Sequence, residues 1–185
     1  MQKLIWREHR ARRPEVDQMV SNTVSAVVGL RDVPEGIGRV NTLANPDYVD
    51  VFTIAVREAK DNSPEEWARA ALENTPTGRS APFLWRFIGL RLGPRPSSQH
   101  VQGWTIIGRA EDWIRLEAAS WFMTANAVVK VDDTQVSAAL FVRYDLPIAA
   151  VIWPPVSVMH RRAMPTLLRQ ALTAHAELDK QLPDR

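Results

Sequence analysis

The chain has no cysteine, so it can build no disulfide framework, no thiolate metal site and no cysteine nucleophile. That composition suits a reducing compartment, and a cytoplasmic location is the expectation. Histidine is scarce: the four, at 9, 100, 160 and 175, include no pair spaced for one metal on a helical turn, so neither a metal nor a cofactor is expected. The glycine-rich phosphate loop, the G-x-S-x-G elbow and the dinucleotide fingerprint are all missing; "GIG" at Gly36 lacks the preceding strand, the third glycine and the helix. Zinc-finger and helix-turn-helix signatures are missing too, and no nucleic-acid partner is expected. Long apolar runs are lacking. The longest uncharged run near the C-terminus, Leu146 to His160, contains Pro147, Pro154 and Pro155, too short and too proline-rich for a spanning helix. Near the N-terminus Glu15, Asp17, Gln18 and Asn22 interrupt the apolar stretch a signal peptide would need.

An excess of one charge is absent as well: 23 Lys and Arg stand against 21 Asp and Glu, a formal net charge of +2. The pI of about 9.3 therefore overstates how basic the molecule is near neutral pH. Basic residues do cluster, in "KLIWREHRARR" and "HRRAMPTLLR". Two solvated faces account for both clusters, and a local anionic partner is the alternative.

What is present is the material of one ordinary domain: 185 residues, 45% hydrophobic, 24% charged. Residues 1–46 carry no sustained period and are expected to form an irregular arm, with a short helix within Glu15 to Leu30 as one option. A single domain is expected over 47–180. "YVDVFTIAV" alternates as a strand does. "SPEEWARAALEN" starts a helix, with Ser63 as cap, Pro64 in the first position and Glu66 returning a bond, and its stripe is Trp67, Ala70, Ala71 and Asn74. After a "TPTGRS" turn, "APFLWRFIGLRL" reads as a second helix with Leu84, Phe87, Ile88 and Leu92 on one side, ending at Gly93-Pro94.

Four further strands follow: "HVQGWTII", "DWIRLEA", "FMTANAVVKV" and "TQVSAALFVRY". A hairpin turning at Asp132-Asp133 sets Val131 opposite Thr134, Val129 opposite Val136, Ala127 opposite Ala138, Ala125 opposite Leu140, Met123 opposite Val142 and Trp121 opposite Tyr144. That face is almost wholly apolar. The other, with Phe122 opposite Arg143 and Lys130 opposite Gln135, is mixed and is expected to be wetter. Alanines 125, 127 and 138 sit in the middle of the apolar face, so an element crossing it either approaches closely or leaves a space. The crossing element is a long helix from Pro155 onward, along which Val156, Met159, His160, Ala163, Leu167, Ala171, Ala174 and Leu178 recur at three or four, with a bend expected near Pro165.

Strand, two helices, a run of antiparallel strands and one long C-terminal helix resemble the START-like, or SRPBCC, superfamily. Within it, "DYVDVFTIAV", "PEEWARAAL", "GW-I" at Gly103 to Ile106, "LEAASWFMTA", "FVRY" and "VMHRRAMPTLL" resemble a family of unknown function, over Asn45 to about Ala176. The resemblance implies an α+β helix-grip fold, an antiparallel sheet wrapped around the C-terminal helix, with a cavity that in this superfamily often holds lipids, sterols, polyketides or other apolar molecules. Five strands are legible where the superfamily has six or seven, and part of the N-terminal region is the candidate for a missing one. No Gly, Pro or Asn marks the turn required near Ser120.

The expected partner is therefore a small apolar or amphipathic ligand held between sheet and helix. The expected lining is Trp85, Trp104, Trp121, Met123, Ala125, Leu140, Met159 and His160, with methionines 123, 159 and 164 able to repack around a guest. His160 lies on the packed stripe and reads either as a histidine satisfied by a strand residue or a carbonyl, or as the proton shuttle of a cyclase or aromatase-type enzyme. Arg161 and Arg162 are expected to point sideways or outward, one of them pairing with a carboxylate such as Glu117, and Arg143 to stack on Phe122. A homodimer or a docked partner, using the sheet edge or the arm, is the third option, without a ligand.

Overall fold

The computed structural model describes residues 23–181, with side chains placed as far as residue 176. The elements run β1 (Val24–Val28), α1 (Glu35–Gly38), β2 (Tyr48–Ala55), α2 (Pro64–Glu73), α3 (Pro76–Phe87), β3 (His100–Val101), β4 (Trp104–Arg109), β5 (Trp113–Ala119), β6 (Met123–Asp132), β7 (Gln135–Tyr144) and α4 (Ala149–Gln181). Seven antiparallel strands form one sheet in the order β1-β2-β7-β6-β5-β4-β3, and α2, α3 and α4 pack across one of its faces. This is an α+β helix-grip fold.

Alternation decides which side chains meet the helices. Ile114, Leu116 and Ala118 of β5 point inward beside Met123 and Ala125 of β6 and Leu140 and Val142 of β7, all buried. Each large apolar side chain removed from water there contributes about 1.5–3 kcal/mol. α2 starts as its sequence dictates: Glu66 N–H donates to Ser63 Oγ at 3.3 Å, Ser63 N–H donates back to Glu66 Oε2 at 2.7 Å, and Pro64 occupies the first turn. Trp67, Ala68, Ala70 and Ala71 form its buried side, small enough for close approach. Gly78 shows how close the next helix comes, since a Cβ there would stand 2.2 Å from the Ala71 carbonyl oxygen.

Several expectations are corrected. The stretch expected to be an irregular arm contributes β1, paired along β2, so the sheet begins at Val24. Of the helix considered within Glu15 to Leu30, residues 24–28 are strand, and 15–22 lie outside the described residues. Ile37 and Leu43, also from that stretch, cover the second face of the sheet against Val49, Val51, Val128, Ala139 and Phe141, which makes that face drier than expected. "HVQGWTII" is two strands, with Gln102 (φ 48°) and Gly103 (φ 90°) turning between them. "TPTGRS" is the first turn of α3 rather than a connecting turn, because Thr75 Oγ1 caps the Gly78 N–H at 2.9 Å. α3 ends at Phe87, so Leu92 lies outside it.

The β6–β7 register differs by two residues from the expected one: Val131 faces Val136, Ala127 faces Leu140, Ala125 faces Val142 and Met123 faces Tyr144. The turn residues are Asp133 and Thr134, and their carbonyls accept from Ala59 N–H at 3.3 Å and Val56 N–H at 2.9 Å, which holds the tip in this register. A slip of two preserves the faces, so the apolar side stays inward. The turn near Ser120 needs no glycine, because Ser120 Oγ accepts from the backbone N–H groups of Phe122 and Met123 at 3.3 and 3.2 Å. α4 starts at Ala149, before its prolines. Pro154 and Pro155 are tolerated because the carbonyls deprived of partners belong to Ala150 and Val151, both exposed to water.

Candidate functional site

Between the sheet and the helices lies a cavity of about 440 Å³. Its floor is the inner face of β5, β6 and β7, where Ala125, Ala127 and Ala138 keep the surface low. Its walls are α2 and α3 on one side and α4 on the other, through Val156, Ala163, Met164 and Leu167. The cavity opens between α3 and α4, where Phe83 and Met159 line it and yet are 81% and 56% exposed. The space follows from residue size. Three alanines in the centre of a sheet crossed by a helix leave a volume that leucines would have filled.

Of the eight residues expected to line a site, seven border this cavity: Trp85, Trp104, Met123, Ala125, Leu140, Met159 and His160. Trp121 does not. The Ser120 turn takes it out of the strand before the inward face is reached, and it is 65% exposed, edge-on to Phe122 at 5.1 Å. Trp85 and Trp104 meet edge to face at 5.5 Å. The indole N–H groups of Trp104 and Trp153, two residues of the lining, are buried with no acceptor among the described residues.

Behind one lining residue, His160, lies a polar cluster. β2 places Tyr48, Asp50, Phe52 and Ile54 on its inner side, so the strand that pairs with β7 delivers a carboxylate into an apolar layer. The Asp50 side chain has 0% exposure. Tyr48 Oη donates to its Oδ2 at 2.5 Å, and His160 Nε2 stands 3.3 Å from its Oδ1. With Nε2–H donating to the carboxylate, Nδ1 becomes the second ring nitrogen and makes no hydrogen bond among the described residues. His160 is held by Trp153 and Phe52, with ring centroids 6.5 and 6.2 Å away. Arg161 closes the cluster by donating from Nη1 to Tyr48 Oη and Ser157 Oγ, each at 3.2 Å.

Three expectations about charged residues are revised here. Arg161 turns to the tyrosine instead of pointing away, and Glu117 instead accepts from the buried Asn126 amide at 3.1 Å. Arg162 is exposed, as expected. Arg143 faces Thr124 and pairs with Asp145 at 2.7 Å rather than stacking on Phe122. Asp50 itself was not singled out in the sequence. Its signal was parity: it shares a face with Tyr48, Phe52 and Ile54.

Burial and the neighbouring Asp50 carboxylate push the Tyr48 phenol well above its ordinary value. Burial, and secondarily Asp47, raises Tyr144 too. These are the only tyrosines. Each folded-state pKa is raised, so the stability it contributes is whole below the ordinary phenol pKa and is lost as pH rises through the folded value. An alkaline spectrophotometric titration should therefore show the native phenols, Tyr48 above all, ionising above the ordinary tyrosine range, with the normal step restored in denaturant. A native step at the ordinary value that accounts for both tyrosines would contradict the buried Tyr48–Asp50 contact.

Among the described residues no helix is long and apolar enough to cross a membrane, and no group of three or more His, Asp or Glu could hold a metal ion. In comparisons with known proteins, no family model, no curated protein and no solved structure matches the chain.

Proposed function

We propose that the protein is a START-like binding module that holds a small apolar or amphipathic molecule between its sheet and α4. The observation that carries this reading is the cavity of about 440 Å³ with its nearly apolar lining, within the roughly 300–1,000 Å³ typical of small-molecule sites. Support comes from the helix-grip arrangement and the START-like motifs of the sequence. Met123, Met159 and Met164 give the lining a deformable surface. The test is a titration with a solvatochromic apolar fluorophore, expected to saturate at one site per chain with a Kd of about 1–10 μM and to be displaced by long-chain amphiphiles. Absence of saturable binding would overturn the reading.

The Asp50–His160 contact favours a second reading, an enzyme of the cyclase or aromatase kind in which Asp50 orients the imidazole and Nδ1 exchanges a proton with the guest. The two readings differ in outcome. A carrier returns its guest unchanged, whereas an enzyme converts it and loses that conversion in His160→Ala.

A further inference from the structure

Ten large apolar side chains are exposed among the described residues, and eight of them fall on three neighbouring pieces of chain: α3, the β5–β6 turn, and the β7–α4 junction with the first turns of α4. These pieces meet at one end of the molecule. Asp145 and Leu146 N–H donate to the Phe122 carbonyl at 2.9 and 3.0 Å, and a Cβ on Gly89, just past α3, would touch the Trp121 ring at 3.8 Å. Phe83 and Met159 border the cavity from its two walls, so the exposed patch reaches the mouth. Phe87, one turn on from Phe83, is 87% exposed, and Val151 on α4 is 70% exposed. A patch of this kind, rimmed by polar groups, marks a surface that meets something else.

Charge indicates what it meets. α3, and α4 as far as residue 176, contain no aspartate or glutamate, while they carry Arg79, Arg86, Arg161, Arg162 and Arg169. Arg86 and Arg162 are exposed, and no ion pair among the described residues engages either. The nearby Asp145 is already paired with Arg143. The chain's own run "KLIWREHRARR" has the same sign as the patch, which disfavours it as the cover. Exposed aromatic rings beside unpaired arginines match the interface of an anionic bilayer, where rings sit at the headgroup boundary and arginines meet the phosphates.

We propose that the mouth between α3 and α4 docks on an anionic lipid surface, so that an apolar guest passes between cavity and bilayer without crossing water. This rests on the binding reading above and adds where the guest is exchanged. The test uses the full chain and sedimentation with vesicles of phosphatidylcholine alone, or of phosphatidylcholine and phosphatidylserine in equal amounts. Binding is expected to the mixed vesicles, much less to the neutral ones, and to fall with salt. The double variant Phe87→Glu/Val151→Glu is expected to weaken it by about tenfold or more, and Arg86→Gln/Arg162→Gln by about fivefold per arginine. None of these four residues lines the cavity, so fluorophore binding in solution should match the parent in both variants, which also shows that they fold.

A parent chain that binds fluorophore but stays in the supernatant with mixed vesicles overturns the docking proposal. So does an undiminished Phe87→Glu/Val151→Glu variant. A parent dimer in sedimentation velocity, split by that variant, would assign the patch to a second copy and overturn it too. Vesicle binding without fluorophore binding keeps the docking surface and removes the cavity reading instead.

Discussion

Replacing Ala127 and Ala138 together by phenylalanine should weaken binding of an apolar fluorophore by about thirtyfold or more, the loss expected when a guest must displace two buried rings. Both alanines lie on the cavity floor, on neighbouring strands and facing α4. The stability of the same variant separates an empty space from a packed one. In a filled core two such substitutions cost about 1–3 kcal/mol each through overpacking. Where rings enter an existing void, they gain contacts and remove apolar surface from water, and the unfolding free energy should stay within about 1 kcal/mol of the parent or rise. Denaturant unfolding measured beside the fluorophore titration gives both numbers. Intact binding, or a loss of several kcal/mol, would count against the cavity.

The second large effect concerns Asp50 and His160. A carboxylate with no exposure depends on the groups that solvate it, here Tyr48 Oη and His160 Nε2. His160→Leu leaves that carboxylate with one partner in an apolar layer and is expected to destabilise the protein by about 2–4 kcal/mol. Asp50→Leu leaves the imidazole and the phenol unsatisfied and should cost about 1–3 kcal/mol. Once either is gone, the other's polarity no longer serves anything in the folded state. The double variant should therefore be less destabilised than the sum of the singles by about 1–2 kcal/mol. Additive losses would show that the two side chains do not interact as the 3.3 Å contact requires. The cycle also bears on chemistry, because the proton-transfer reading needs Asp50 and His160 to be coupled.

The fold was legible where a local rule and the hydrophobic period agreed. Ser63, Pro64 and Glu66 specify the start of α2 by hydrogen bonding that needs no tertiary context. The alternation from Met123 to Val131 fixed the inward face even though the register was two residues off, because period-two patterning reports faces and turn docking sets register. The central alanines pointed to a low floor, and they line the cavity. Illegible were the features decided by contact at long range. β1 has too little pattern to declare itself, since its burial comes from pairing with β2. The inner side of β2 was hidden because Val49 and Val51 are as apolar as Phe52 and Ile54, both faces of the strand being covered. That ambiguity concealed Asp50 and left His160 without a visible partner. Trp121 was misplaced for a local reason, a serine-built turn in a stretch where no Gly, Pro or Asn signals one.

The most direct check on the central claim is methyl NMR of the methionines during addition of the apolar fluorophore. Met123 on the floor and Met164 on the wall both border the cavity. Saturable shifts of both methyl resonances, tracking the fluorescence titration, are the predicted result. Fluorophore binding that leaves Met123 and Met164 unmoved would mean that the guest lies elsewhere and that the space beneath α4 is not a binding site.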